Sequence, residues 1–174
     1  MVTRALLAIE PPTAVIARAI ASGLESTGVE TMVHGFPNTT PPSADVDLVV
    51  LGARASACRA SDGAAVRSWL ANVRAHRDGQ LAAAFEMRLA PVAYLGRGAA
   101  YGASRLLSAH GFRLAHLPAY FRVREGAGMP AKELLRAHAW GAFLGEAVHS
   151  APGSAFALSS LDRRRARPPI GRSA

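Results

Sequence analysis

Cysteine is all but missing from this chain. Cys58 stands alone in 174 residues, so no disulfide can close within the chain and no cysteine-based metal site is available. Histidine does not fill the gap, because His34, His76, His110, His116, His138 and His149 include no i, i+4 pair and no other ligand spacing. No run of 18 or more uncharged apolar residues occurs, which leaves no candidate for a membrane-spanning helix. Lysine is scarce as well: nineteen of the twenty basic residues are arginine, a bias that points to genome composition more than to a binding face. The opening Met-Val-Thr-Arg leads straight into a strand-like run instead of a charged stretch, an apolar core and a cleavage site. With a lone thiol suited to a reducing compartment, the expectation is a cytoplasmic protein.

What the chain does contain is core material. Half of its residues are hydrophobic and 18% are charged, enough apolar surface for one folded domain of ordinary size. The formal net charge is +8. Arg163, Arg164, Arg165, Arg167 and Arg172 stand against Asp162 in the last segment, so much of the excess is terminal. From Ser150 onward periodicity is lost and Pro, Ser, Gly and Arg dominate. The expected organisation is therefore a domain over residues 1–149 and a basic, disordered tail over 150–174. Without aromatics or a groove-reading helix, the tail gives no strong nucleic-acid signal.

Short apolar runs alternate with helical patterns along the body. Arg4 to Ile9, Val29 to His34, Asp47 to Gly52, Leu81 to Phe85 and Phe112 to Leu117 read as strands, the last interrupted by Pro118 and resumed at Tyr120 to Val123. Ile16, Ile20 and Leu24 mark a helix that starts after Thr13 and ends near Gly28. A second, capped by Asp62, carries Val66, Trp69, Leu70 and Val73 and ends at Gly79. A third runs from Ala99 to His110, and a fourth, from about Ala131 to Val148, gathers Leu134, Ala137, Gly141, Leu144 and Val148 on one face. Strands joined by crossovers of this length require a parallel sheet covered by helices on both faces: an α/β, three-layer, doubly wound, five-stranded sheet.

Several phrases resemble the flavodoxin family. Asp47-Leu-Val-Val-Leu-Gly52 is similar to its third strand, Ala83-Ala-Phe-Glu-Met-Arg88 to its fourth strand and flavin loop, and Gly102 to Phe112 followed by Phe121-Arg-Val123 to the approach to strand five. Ala137-His-Ala-Trp-Gly141 is similar to its closing helix. The resemblance spans about residues 4 to 148. It implies strand order 2-1-3-4-5, an FMN cofactor at the carboxyl ends of the strands where the order reverses, electron transfer, and a redox partner protein. No side chain is assigned a catalytic role.

The same resemblance assigns Thr13 to the FMN phosphate, the backbone of Gly52, Ala53, Arg54, Ala55 and Ser56 to one face of the flavin ring, and the loop from Glu86 through Met87, Arg88 and Tyr94 to Arg97 to the other. Departures from the pattern are concentrated here. The family's phosphate loop is rich in hydroxyls and backbone N–H groups, whereas Ala8-Ile-Glu-Pro-Pro-Thr13 keeps one hydroxyl. Pro11 and Pro12 offer no N–H, and Glu10 sets a carboxylate where a phosphate belongs. No ring-stacking aromatic stands between Gly52 and Arg59. A helix N-cap alone accounts for Thr13, a solvated loop acid for Glu10, and an inert small residue for Cys58. Tyr94 and Tyr101 suit either a ligand or ordinary packing. Two readings follow: a flavodoxin-like electron carrier whose FMN binding is weakened or lost, or a flavin-free interaction or small-ligand module on the same scaffold.

Overall fold

Leu48, Val49, Val50 and Leu51 are all fully buried, because helices cover both sides of the sheet and a central strand has no wet face. The computed structural model describes residues 2–55, 64–90, 98–124 and 128–150. Among them are six strands, β1 (Arg4–Ile9), β2 (Glu30–Gly35), β3 (Leu48–Arg54), β4 (Leu81–Ala90), β5 (Arg113–Leu114) and β6 (Ala119–Arg124). Four α-helices accompany them: α1 (Ala14–Glu25), α2 (Ala64–Asn72), α3 (Ala99–Ala109) and α4 (Ala131–His149). The strands pair in parallel in the order β2-β1-β3-β4-β5, with β6 also on β4.

β5 and β6 are two pieces of one edge strand. Leu114 pairs with Ala82 and Ala119 with Phe85, five steps along one chain against three along the other, so two extra residues loop out around Pro118. Proline cannot donate to a ladder, and the strand breaks there. The expected fifth strand with its interruption is this pair.

Alternate residues of each strand feed two cores. Leu7, Ile9, Leu48, Val50, Phe85 and Phe121 meet α1 and α4 on one side, while Leu6, Val49, Leu51 and Ala84 meet Trp69, Leu70 and Leu107 on the other. The helices α1 and α4 touch backbone to backbone. A Cβ on Gly23 would overlap the His138 carbonyl, and one on Gly141 would overlap that of Ile20. Gly28, at φ +85, closes the turn after α1 with the Val29 N–H donating to the Leu24 carbonyl.

Three expectations need correction. α2 ends at Asn72, not Gly79; the Asn72 side chain donates back to the Ser68 carbonyl at 2.8 Å, and Gly79, at φ +78, serves the turn into β4 instead. That turn is held by buried Gln80, which accepts from the His76 N–H and donates to the Val46 carbonyl. β4 runs five residues beyond Phe85, because β6 pairs with it through Ala90. β3 likewise continues past Gly52 to Arg54, paired to Met87. The expected Asp62 cap and the tail from residue 151 lie outside the described residues.

Candidate functional site

The order of strands reverses between β1 and β3, and in such sheets ligands sit outside the carboxyl ends at that point. Ile9 pairs with Gly52, and one residue further the chain leaves β1 as Glu10. Pro11–Thr13 form a single 3-10 turn that runs directly into α1. Two prolines at its start fix φ in the helical range and account for the tight turn.

This turn satisfies its own backbone. The Thr13 N–H donates to the Glu10 carbonyl at 2.9 Å, and the Ala14 N–H donates to the Pro11 carbonyl. Thr13 is fully buried and its hydroxyl also donates to the Glu10 carbonyl, at 2.8 Å. Thr13 thus occupies the position before α1 without capping it through its side chain, a correction to the expected N-cap. Its hydroxyl is drawn inward because Glu10 presents a carbonyl three residues back.

Glu10 is half-buried, not simply solvated. Its own N–H donates to the Gly52 carbonyl, and its carboxylate accepts the Arg54 N–H. The Ala55 N–H donates to the Met87 carbonyl at 2.9 Å. Among the described residues, the amides of Glu10, Thr13, Ala14, Arg54 and Ala55 at this switch point therefore have partners within the chain. A carboxylate beside them repels a phosphate dianion besides. These residues do not fit the phosphate of FMN.

The remaining candidates separate into two sets. Gly52 admits the Phe85 ring, which a Cβ would overlap; Ala53 is buried, and Arg54 and Ala55 are half-buried at the end of β3. Ser56, Cys58, Arg59, Tyr94 and Arg97 lie outside the described residues. Glu86, Met87 and Arg88 belong to β4 and not to a loop. Met87 is buried in the core under α1 and α4. Tyr101 stands in the first turn of α3, half-buried, with its N–H donating to the Gly98 carbonyl.

Glu86 forms a buried ion pair that sequence reasoning did not single out. Its carboxylate is inaccessible to solvent, accepts the Arg88 Nε–H at 2.9 Å and accepts the Ala100 N–H at 3.0 Å. It thereby satisfies an N-terminal amide of α3 and complements that helix's dipole. Arg88 lies with its guanidinium carbon 3.9 Å from the centre of the Tyr120 ring. Gly98 leaves the space this pair fills, since a Cβ there would overlap both side chains. The available signal was the i, i+2 spacing of Glu86 and Arg88, which puts opposite charges on one face of a strand.

At the opposite end of the sheet, Arg4 joins Asp45 at 2.7 Å and Glu30 at 3.3 Å, and Asp47 joins Arg77. The hydrogen bond to Asp45 and then that to Glu30 raise the Arg4 guanidinium above its ordinary value. The Ser43 hydroxyl, followed by Arg4, holds the Asp45 carboxyl below the usual carboxylate range. Among the described residues no three His, Cys, Asp or Glu side chains converge on a metal position, and no helix is long and apolar enough to cross a membrane.

This sheet order, with helices on both faces, defines the flavodoxin-like class of α/β folds. A flavodoxin from the domain Archaea matches 84% of this chain and 99% of its own, with a TM-score of 0.62 at 16% identity. Streptococcus pneumonia TIGR4 flavodoxin matches 83% of this chain and 99% of its own, with a TM-score of 0.67 at 12% identity. The Flv1 flavodiiron core from Synechocystis sp. PCC6803 matches 84% of this chain with a TM-score of 0.59 at 16% identity, but the match spans 36% of that larger chain. At such identities the likeness is one of fold. No protein-family model and no curated protein sequence matches the chain.

Proposed function

We propose that this chain is a flavodoxin-fold binding module that no longer holds FMN through its phosphate, and that it acts through contacts with a partner or small ligand instead of by flavin electron transfer. One observation carries this reading: the Glu10 carboxylate accepts the Arg54 N–H, while Pro11, Pro12 and the inward-turned Thr13 leave the β1–α1 turn without an anion cradle. FMN would have to bring a dianion beside this carboxylate. The competing reading, an FMN electron carrier with weakened affinity, is favoured by the strand reversal itself, which brings the ends of β1, β3 and β4 together as a flavin crevice requires.

The absorbance spectrum of the purified protein separates the two. A colourless preparation that fails to quench the fluorescence of added FMN at micromolar concentration supports the module. Flavin bands in the visible, in proportion to protein, support the electron carrier.

A further inference from the structure

The helix α4 has a second apolar stripe on the side turned away from the core. Its buried face is made by Glu133, Ala137, Gly141, Leu144 and Gly145. Half a turn around the helix stand Lys132, Leu135, Ala139, Phe143 and Glu146, all exposed and recurring at spacings of three, four and seven. Leu135 is 73% exposed and Phe143 is 41% exposed. A helix packed on one side normally turns polar residues to water. Here the middle of the outer stripe, Leu135, Ala139 and Phe143, is apolar, with Lys132 and Glu146 at its two ends and exposed Arg136 on its flank, paired to Glu133.

Those end charges are placed against the helix dipole. Lys132 is a cation in the first turn and Glu146 an anion near the last, the reverse of what an isolated helix favours. Neither takes part in an ion pair among the described residues. The stripe is, however, complementary to its own reversal. When a second α4 is laid antiparallel across it about Ala139, Leu135 faces Phe143 of the second copy and Lys132 faces Glu146 of the second copy. Two-fold symmetry repeats both contacts. Each charge then meets an opposite charge and, through the antiparallel partner, the helix end that suits it.

We infer that the outer face of α4 is the interface of a symmetric dimer of this chain. Ala139 at the axis is small enough for close approach of the two helices at the spacing of ordinary helix pairs. The His116 ring meets the Phe143 ring edge-on, with centroids 4.9 Å apart. A single helix pair covers less than the roughly 1,200 Å² of a standard stable interface, so association is concentration-dependent and not obligate.

Sedimentation velocity on the full chain from micromolar to millimolar concentration tests this, with thermal unfolding of each variant as a control on folding. The wild type is expected to pass from monomer to dimer. Ala139→Arg is expected to stay monomeric with an unchanged unfolding midpoint. Lys132→Glu and Glu146→Lys should each weaken the dimer by at least about tenfold, because each sets like charges face to face at both symmetric ends. The double reversal K132E/E146K should restore it. Carbodiimide treatment should also join Lys132, the only lysine, to Glu146 of a second copy. A wild type that remains monomeric at millimolar concentration overturns the proposal and leaves the stripe to a different protein. A dimer indifferent to Ala139→Arg, or single reversals that the double does not rescue, overturns it equally.

Discussion

Glu10 does at the strand reversal what an anionic ligand would do, since its carboxylate already accepts the backbone N–H of Arg54. Replacing it tests whether the loop alone excludes flavin phosphate. The triple change Glu10→Thr, Pro11→Gly and Pro12→Asn removes the repelling charge and returns two backbone donors at the start of α1. A charge-assisted hydrogen bond contributes on the order of 1.5 to 3 kcal/mol, so calorimetric titration should find FMN bound at least about tenfold more tightly than by the parent. No gain would place the obstacle elsewhere in the crevice. A second residue-scale prediction concerns Glu86, whose loss takes a buried carboxylate from Arg88 and an acceptor from an α3 amide together. Glu86→Ala should lower stability in urea unfolding by about 3 kcal/mol, the lower end for breaking a buried pair because Arg88 keeps some access to water.

At the scale of elements, the helix pair α1 and α4 depends on missing side chains. Gly141→Ala gains up to about 1 kcal/mol of helix propensity, but its methyl would overlap the Ile20 carbonyl. Backbone cannot yield as a flexible side chain can, so overpacking at about 1 to 3 kcal/mol dominates. A lowered thermal midpoint is expected, and an unchanged or raised one would show that the helices can separate freely. At the amino ends of the strands, Asp45 binds Arg4 and Ser43 and its carboxyl is held below the usual range. A depressed folded value means stabilisation that is present above the ordinary carboxylate range and lost as pH falls through the folded value. Thermal midpoints of wild type and Asp45→Asn should therefore differ at neutral pH and converge on acidification toward and below pH ~4. The difference should also shrink in salt, because the pair is exposed.

Most elements can be read from the chain because their signals are local. Unbroken apolar runs such as Leu48 to Leu51 identify buried parallel strands, and Ile16, Ile20 and Leu24 identify a helix face; both emerge where the residues predict. The apolar pattern ends β4 at Phe85 because Glu86 and Arg88 look like loop residues, whereas within the sheet the second neutralises the first. The partner of Glu10 was out of reach for a related reason. Arg54 is 44 residues away, and nothing in the spacing of either residue announces the contact. Local pattern carries the layers, whereas the site depends on pairings made only after the layers assemble.

For the whole molecule, the described fold closes at His149, whose ring lies 3.0 Å from the Thr27 carbonyl at the end of α1. Residues 150–174 combine Pro152, Gly153, Pro168, Pro169 and Gly171 with five arginines and few large apolar residues, too little to offset the entropy of ordering them, so removing 151–174 should leave the unfolding midpoint within about a degree of the full chain, a change well under 1 kcal/mol. A truncated protein that aggregates or melts without cooperativity would assign the tail a part in folding. Comparing FMN with riboflavin on the unmodified protein isolates the phosphate site, since the two ligands differ only by the phosphate. A scaffold without a working phosphate site should quench the fluorescence of neither at micromolar concentration and should show no advantage for FMN at higher concentration. FMN bound at micromolar concentration or tighter, with riboflavin at least about tenfold weaker, would contradict it.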